Sequence, residues 1–224
     1  MTTIHETDAP PAGVTDGEGR AIRYAQFHHN NFFTTRLEEM RTWYATVLGM
    51  KTTFAFPLGC WMTNDRANHR LALTAVPGLT DDPDKRNHAR LHHQAFEFAE
   101  FDDLNDTYVR LRGEGIVPAA CLDHGMTFSY YYVDPDFNYV EMQIDNFGDW
   151  EASAGWMRTS PDFAANPVGA FVDPDKIAAA RAEGVSFEEI RRRVWETDDF
   201  RPDEFPDMGG PPPREGDPPL PVKW

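Results

Sequence analysis

The sequence predicts an α+β fold of two tandem βαβββ modules, with an N-terminal arm and a partly helical C-terminal tail. Three observations predict it. The adjacent-histidine pairs His28-His29 and His92-His93 sit in matching frames 64 residues apart, and the same offset carries Phe32 onto Phe96, Tyr44 onto Tyr108 and Gly49 onto Gly113. It also carries Leu37 onto Phe101, Met40 onto Leu104 and Val47 onto Leu111, which are apolar residues at helical spacing. A polar segment of turn formers and charges, Gly78 to Ala89, separates the two copies.

Residues 1–21 are rich in Gly, Pro, Thr and Asp and offer nothing to bury, so they read as a flexible arm. The first module, 22–76, reads as a strand over Tyr24 to Phe33, a helix over Leu37 to Leu48 ended by Gly49, then strands over Lys51 to Phe56, Gly59 to Asn64 and His69 to Val76. The second, 90–146, repeats the order. A strand over His92 to Phe98 precedes a helix over Asp102 to Arg112 followed by Gly113. Strands then come at Val117 to Cys121, Thr127 to Val133 and Tyr139 to Ile144, the last two joined by an Asp134-Pro135-Asp136 turn. Together the modules make one domain over 22–146. The extension, 147–224, starts with Trp150 and Trp156 in an irregular stretch. It continues with a helix over Pro174 to Ala182 and another over Ser186 to Val194, where Ser186 and Glu189 have capping-box spacing. From Arg201 to Trp224, proline and glycine dominate and predict a wrapping or disordered tail.

Composition excludes several roles. An apolar fraction of 41% over 224 residues is enough for a real core. A net charge of -16 argues against nucleic acid or an anionic membrane as partner, since phosphate needs a basic footprint. Cys60 and Cys121 are too few and too distant for a disulfide framework, and no apolar run reaches transmembrane length. The first residues lack the basic start and apolar centre of a secretion signal, so the expected compartment is the reducing cytoplasm.

The chemistry rests on the histidines. Successive strand side chains face opposite ways, so one member of each pair can face inward while the other packs or lies at an edge. A lone strand histidine is more often structural, and the repeated frame is what raises the two pairs above that reading. Glu141 is a carboxylate inside the apolar strand Tyr139-Val140-Glu141-Met142-Gln143-Ile144, where it needs a cation or a donor; an arginine partner or partial exposure would also satisfy it. The last strand of the first module, Leu71 to Val76, has no carboxylate. Two histidines and one carboxylate with open positions suit non-haem Fe(II) oxygen chemistry.

These residues resemble the vicinal oxygen chelate superfamily, also called glyoxalase/bleomycin resistance/dioxygenase, whose paired modules form a cupped mixed sheet around a metal. Residues 22–146 look like the catalytic half of the type I extradiol catechol dioxygenases. The closest likeness is the segment from His124 through Tyr130, Tyr131, Asp134, Pro135 and Phe137 to Glu141, similar to a signature of histidine, tyrosine, Asp-Pro and ligand glutamate. The resemblance implies that His29, His93 and Glu141 bind Fe(II), a set Mn(II) also accepts, with His28 and His92 as bystanders. It implies acid-base work in O–O cleavage for His69, and for His124 and Tyr131 hydrogen bonds to the bound diol monoanion and help in ketonising and opening the product. The implied reaction is O2-dependent extradiol opening of a catechol-type ring, an oxidoreductase step inserting both oxygen atoms during aromatic catabolism, in a homo-oligomer. Phe137 replaces a small turn residue and Tyr130 an aliphatic one, departures that bear on pocket shape or the turn.

Other readings remain. A metal-dependent isomerase or lyase of the same superfamily would usually take a carboxylate from each module, which the first copy lacks. A non-catalytic small-molecule-binding protein needs no metal triad and leaves His69, His124 and Tyr131 unexplained together.

Overall fold

The computed structural model describes Glu18, residues 25–211 and residues 222–223. Apart from Glu18, the expected arm lies outside the described residues, as does the start of the first module at Ile22.

The first module contains β1 (Asn30–Phe33), α1 (Leu37–Leu48), β2 (Lys51–Phe56), β3 (Gly59–Thr63) and β4 (Leu71–Thr74). The second contains β5 (His93–Phe98), α2 (Phe101–Gly113), β6 (Ala120–Asp123), β7 (Thr127–Val133) and β8 (Tyr139–Asp145). Each module forms its own cupped, open mixed sheet, in the order β1-β4-β3-β2 and, within the larger sheet, β6-β7-β8-β5. The outer pair is parallel in both, β1 with β4 and β5 with β8, and the remaining pairs are antiparallel. The repeat read from the sequence is therefore a repeat of topology.

Three expected boundaries move for physical reasons. β1 is four residues long because its partner β4 offers only four, Asn30 pairing Leu71 and Phe33 pairing Thr74, which leaves His29 and His69 on the approaches to the strands. β6 starts at Ala120 instead of Val117, since Pro118 has no N–H for a ladder. Gly49 takes the left-handed conformation that ends α1 (φ 63°), whereas Gly113 is the last helical residue of α2 and the left-handed turn falls at Gly115 (φ 80°).

The helices cover one face of each sheet, and the two cores interpenetrate. Met40 and Tyr44 of α1 pack with Leu71, Leu73 and, from the other module, Val140. Leu104, Tyr108 and Leu111 of α2 pack with Phe128, Tyr130, Met142 and Val47 of α1. Tyr130 is fully buried here, beneath the helix, and packs on the face opposite Tyr131. Phe137 is the one described non-glycine residue with positive φ (62°), at the turn where a small residue is usual, and it is exposed.

The join between modules is polar. Asn30 and Gln94 occupy equivalent frame positions, and the Asn30 amide donates to Gln94 Oε1 at 2.7 Å. Gln94 donates to Tyr44 Oη at 2.7 Å, and Tyr44 donates to Asp134 Oδ2 at 3.0 Å. Burial holds Asp134 above the usual carboxylate range despite its bonds from Asn138 and Tyr44.

The stretch expected to be irregular after Asn146 is helical: α3 (Trp150–Thr159) and α4 (Pro161–Ala165). Both carry start signals. Asp149 accepts from Glu151 N at 2.8 Å, and Ser160, followed by Pro161, accepts from Phe163 N at 3.2 Å. β9 (Gly169–Phe171) then pairs with β6, and β10 (Val222–Lys223) with β9. α5 (Pro174–Ala182) and α6 (Phe187–Glu196) send Ile177, Ile190 and Val194 into the second module's core, and Ser186 caps α6 through Glu189 N. Lys223 Nζ donates to the Val194, Trp195 and Thr197 carbonyls at the end of α6, where the helix dipole favours a cation. The described part of the tail wraps the second module. No helix among the described residues is long and apolar enough to cross a membrane.

Candidate metal and acid-base centre

Strand alternation puts His93, Glu141 and Tyr131 on the sheet face opposite the helices, with Ala95 opposite Glu141 and Tyr131 opposite Glu141 in register. His93 Nε2 lies 3.1 Å from Glu141 Oε2, and Tyr131 donates to Glu141 Oε1 at 2.7 Å. Tyr131 Oη is also 2.9 Å from His124 Nε2. The other His124 nitrogen, Nδ1, donates to the Val168 carbonyl at 2.5 Å. Four expected site residues thus form one chain of contacts, His93–Glu141–Tyr131–His124, ending on the backbone of the C-terminal extension.

Electrostatics follow from burial. Glu141 is 5% exposed; burial pushes its pKa up, but hydrogen bonds from His93, Ser129 and Tyr131 outweigh this and hold it below the usual value. Burial beside that carboxylate raises the Tyr131 hydroxyl above the ordinary tyrosine range. Burial also lowers His124, against the raising influence of Glu141 and the Val168 carbonyl.

The remaining two site residues come from the first module. The His29 and His69 rings meet at a tilt of 53° with centroids 4.2 Å apart, and burial followed by repulsion from His29 and His28 lowers His69. Among the described residues, His28, His29 and His69 form the group of three or more metal-type donors lying within 4.8 Å of one another. His93 and Glu141 stand outside that group. Of the expected ligand trio, His93 and Glu141 are in contact, whereas His29 lies with His69 and His28. His28, expected to be a bystander, lies beside both, its Nδ1 3.0 Å from His29 Nδ1. The Asn30–Gln94 bond sets the two groups on either side of the module join, since His29 and His93 immediately precede those residues.

The donor chemistry fits a divalent metal. Two cis ligands on one ion at bond lengths of about 2.1 Å stand roughly 3 Å apart, which is the His93–Glu141 separation. Next to His69 lies an aromatic strip. Trp61 stacks on its ring at 5.6 Å and meets Phe54 at 5.1 Å, with Phe56 alongside, and all three are substantially exposed. A separate cavity of about 790 Å³, lined in part by Phe33, Arg36, Val133, Phe137 and Tyr139, includes none of the six site residues.

Several supports were not evident from sequence. Buried Asp123, next to His124, accepts from Arg191 and Trp195 of α6 at 3.1 Å each, and from Gly125 N and Asn146. The Trp156 ring occupies the space where a Gly125 side chain would stand. The caps of α3 and α6 mark where those helices start but not which of their side chains reach Asp123 and Gly125.

The sequence profile of the Glyoxalase/Bleomycin resistance protein/Dioxygenase superfamily matches residues 26–142. Two curated relatives from Rhodococcus globerulus are similar over most of the chain. Biphenyl-2,3-diol 1,2-dioxygenase 2 is 38% identical over 170 residues, covering 76% of this chain and 88% of the relative. Biphenyl-2,3-diol 1,2-dioxygenase 3 is 38% identical over 162 residues, covering 72% and 85%.

Proposed function

The chain belongs to the glyoxalase/bleomycin resistance protein/dioxygenase superfamily, and from that membership we propose that it is an extradiol dioxygenase opening the ring of a catechol-type diol beside its hydroxyls with O2. The observation that carries the reading is the contact chain His93–Glu141–Tyr131–His124, which couples a metal-type donor pair directly to a proton-handling pair. His29, His93 and Glu141 would hold Fe(II), or Mn(II), which accepts the same donors. When bound, the metal would supply Lewis acidity toward the diol and a path for electron density from the diol to O2.

The protein's own groups handle the protons. Because Val168 takes the Nδ1 proton, a neutral His124 presents a bare Nε2 to Tyr131. Tyr131 has one proton and two acceptor neighbours, Glu141 and His124, so it can pass a diol proton toward Nε2 while keeping its own hydroxyl buried. The resulting imidazolium is stabilised by nearby Glu141 and the Val168 carbonyl. Burial and the neighbouring His29 and His28 favour the neutral form of His69, which can accept a proton and return it during O–O cleavage. The apolar strip of Trp61, Phe54 and Phe56 beside it gives a ring substituent a surface to lie on.

Anaerobic loading with Fe(II), followed by a panel of catechols and measurement of O2 uptake, tests the reading. Uptake with a yellow ring-opened product is expected. Absence of both, in protein shown to contain iron, would overturn it.

A further inference from the structure

His92 was expected to be a bystander, yet it is the more firmly held member of its pair. Its ring stacks on Tyr139 at 5.1 Å, its Nε2 lies 2.7 Å from the Met208 carbonyl, and its Nδ1 lies 2.8 Å from His93 Nδ1. The carbonyl only accepts, so His92 Nε2 carries a proton. In a neutral imidazole the other nitrogen is then an acceptor, and two facing nitrogens cannot both accept. His93 Nδ1 must therefore donate, which leaves Nε2 as the His93 nitrogen turned toward Glu141.

The segment that supplies this carbonyl is fixed in place by residues 68 to 121 positions away. Arg86 grips the Asp207 carboxylate through both terminal nitrogens at 2.6 and 3.0 Å, and Arg90 donates to the Gly209 carbonyl at 2.8 Å. Tyr139 donates to the Asp207 carbonyl at 3.1 Å. Gly209 has positive φ (69°), and a side chain there would fall on the Tyr139 ring.

We propose that His92 is a positioning residue: its Nδ1 accepts a hydrogen bond from His93 Nδ1–H, its Nε2–H donates to the Met208 carbonyl, and so the C-terminal segment fixes which nitrogen His93 offers to the metal. The inference rests on the reading of His93 as a ligand. The arrangement extends outward from the ligand by two hydrogen bonds, and outer partners of metal-bound histidine commonly govern ring orientation and affinity. The first module lacks an equivalent anchor, since His28 makes the same contact to its neighbour but turns its ring to His69.

Long-range proton–nitrogen spectra of the metal-free protein, labelled in its histidine rings, read the nitrogens directly. His92 is expected to be protonated at Nε2 and bare at Nδ1, with His93 protonated at Nδ1. A proton on His92 Nδ1 would sink the proposal, whether or not any variant folds. Affinity for Zn(II), a diamagnetic probe, supplies the second measurement. His92→Phe, which keeps the ring stack, should weaken it about 10–100-fold, and His92→Asn, whose carbonyl can replace Nδ1 as acceptor, should recover most of the loss. Unchanged affinity in a folded His92→Phe protein would overturn the inference. Gly209→Ala, displacing the Met208 carbonyl, should weaken Zn(II) in the same direction, and unchanged affinity there would remove the tail from the arrangement. Should Glu141→Ala leave Zn(II) affinity intact, the ligand reading itself fails, while the nitrogen spectra still decide the His92 pairing.

Discussion

Glu141 and His69 separate the two donor groups at the level of single residues. Glu141→Ala removes the carboxylate beside His93 and should abolish iron retention through gel filtration, whereas His69→Ala should retain iron and slow turnover. Loss of iron from His69→Ala, with Glu141→Ala still loaded, would assign the metal to His28, His29 and His69 instead. Tyr131→Phe keeps the ring and removes the proton shared between Glu141 and His124. It should bind metal normally and lower kcat by about 10²–10⁴, read from O2 uptake at saturating diol. Sequence identified these residue types because each carries its chemistry in its own side chain. It could not identify Val168 or Met208, which act through backbone carbonyls that every residue possesses.

Among the elements, the loop between β3 and β4 carries His69 and is organised by Asp65. That carboxylate accepts from Ala67 N and Thr63 Oγ1 at 2.8 Å and from Arg70 Nε at 2.9 Å, while Arg70 reaches the His28 carbonyl at 3.0 Å. The Ala67 N–H, then Thr63 and Arg70, lower Asp65 from 3.8 to about 2. A lowered folded-state pKa adds stability above the unfolded value, and that stability is lost as pH falls through the folded one. The stability difference between wild type and Asp65→Asn should therefore be constant above about pH 5 and shrink between 3.8 and about 2 in acid denaturation. A difference that stays flat through that interval would contradict the assignment. The neighbouring β2 and β3 carry the aromatic strip. Trp61→Ala should raise KM about tenfold for an aryl-substituted catechol and much less for catechol itself, in steady-state rates. Periodicity and caps made most elements legible, since α1, β2, β7 and α5 depend on local pattern. β9 and β10 were not legible, because three- and two-residue strands have too short a pattern and exist only through pairing with β6 and with one another.

At the scale of the whole molecule, the modules are held by a shared core crossed by the Asn30–Gln94–Tyr44–Asp134 hydrogen bonds. Tyr44→Phe leaves the Gln94 amide donor without this partner, while Asp134 keeps its bonds from Asn138, and the change should cost about 1–3 kcal/mol in urea unfolding with an unchanged m-value. The offset of 64 residues foretold two equivalent modules but not which equivalent residues would touch. Contact across the join depends on how the sheets dock, which periodicity along the chain does not encode. Asn30 and Gln94, equivalent by the 64-residue offset, touch one another across the join, as equivalent residues do in an isologous interface. In a homodimer each amide would face its own twin, and any group near the axis would come in twos. With both halves on one polypeptide the two sides need not be identical, so an asparagine donates to a glutamine here, and a carboxylate on one half is not obliged to have a counterpart on the other.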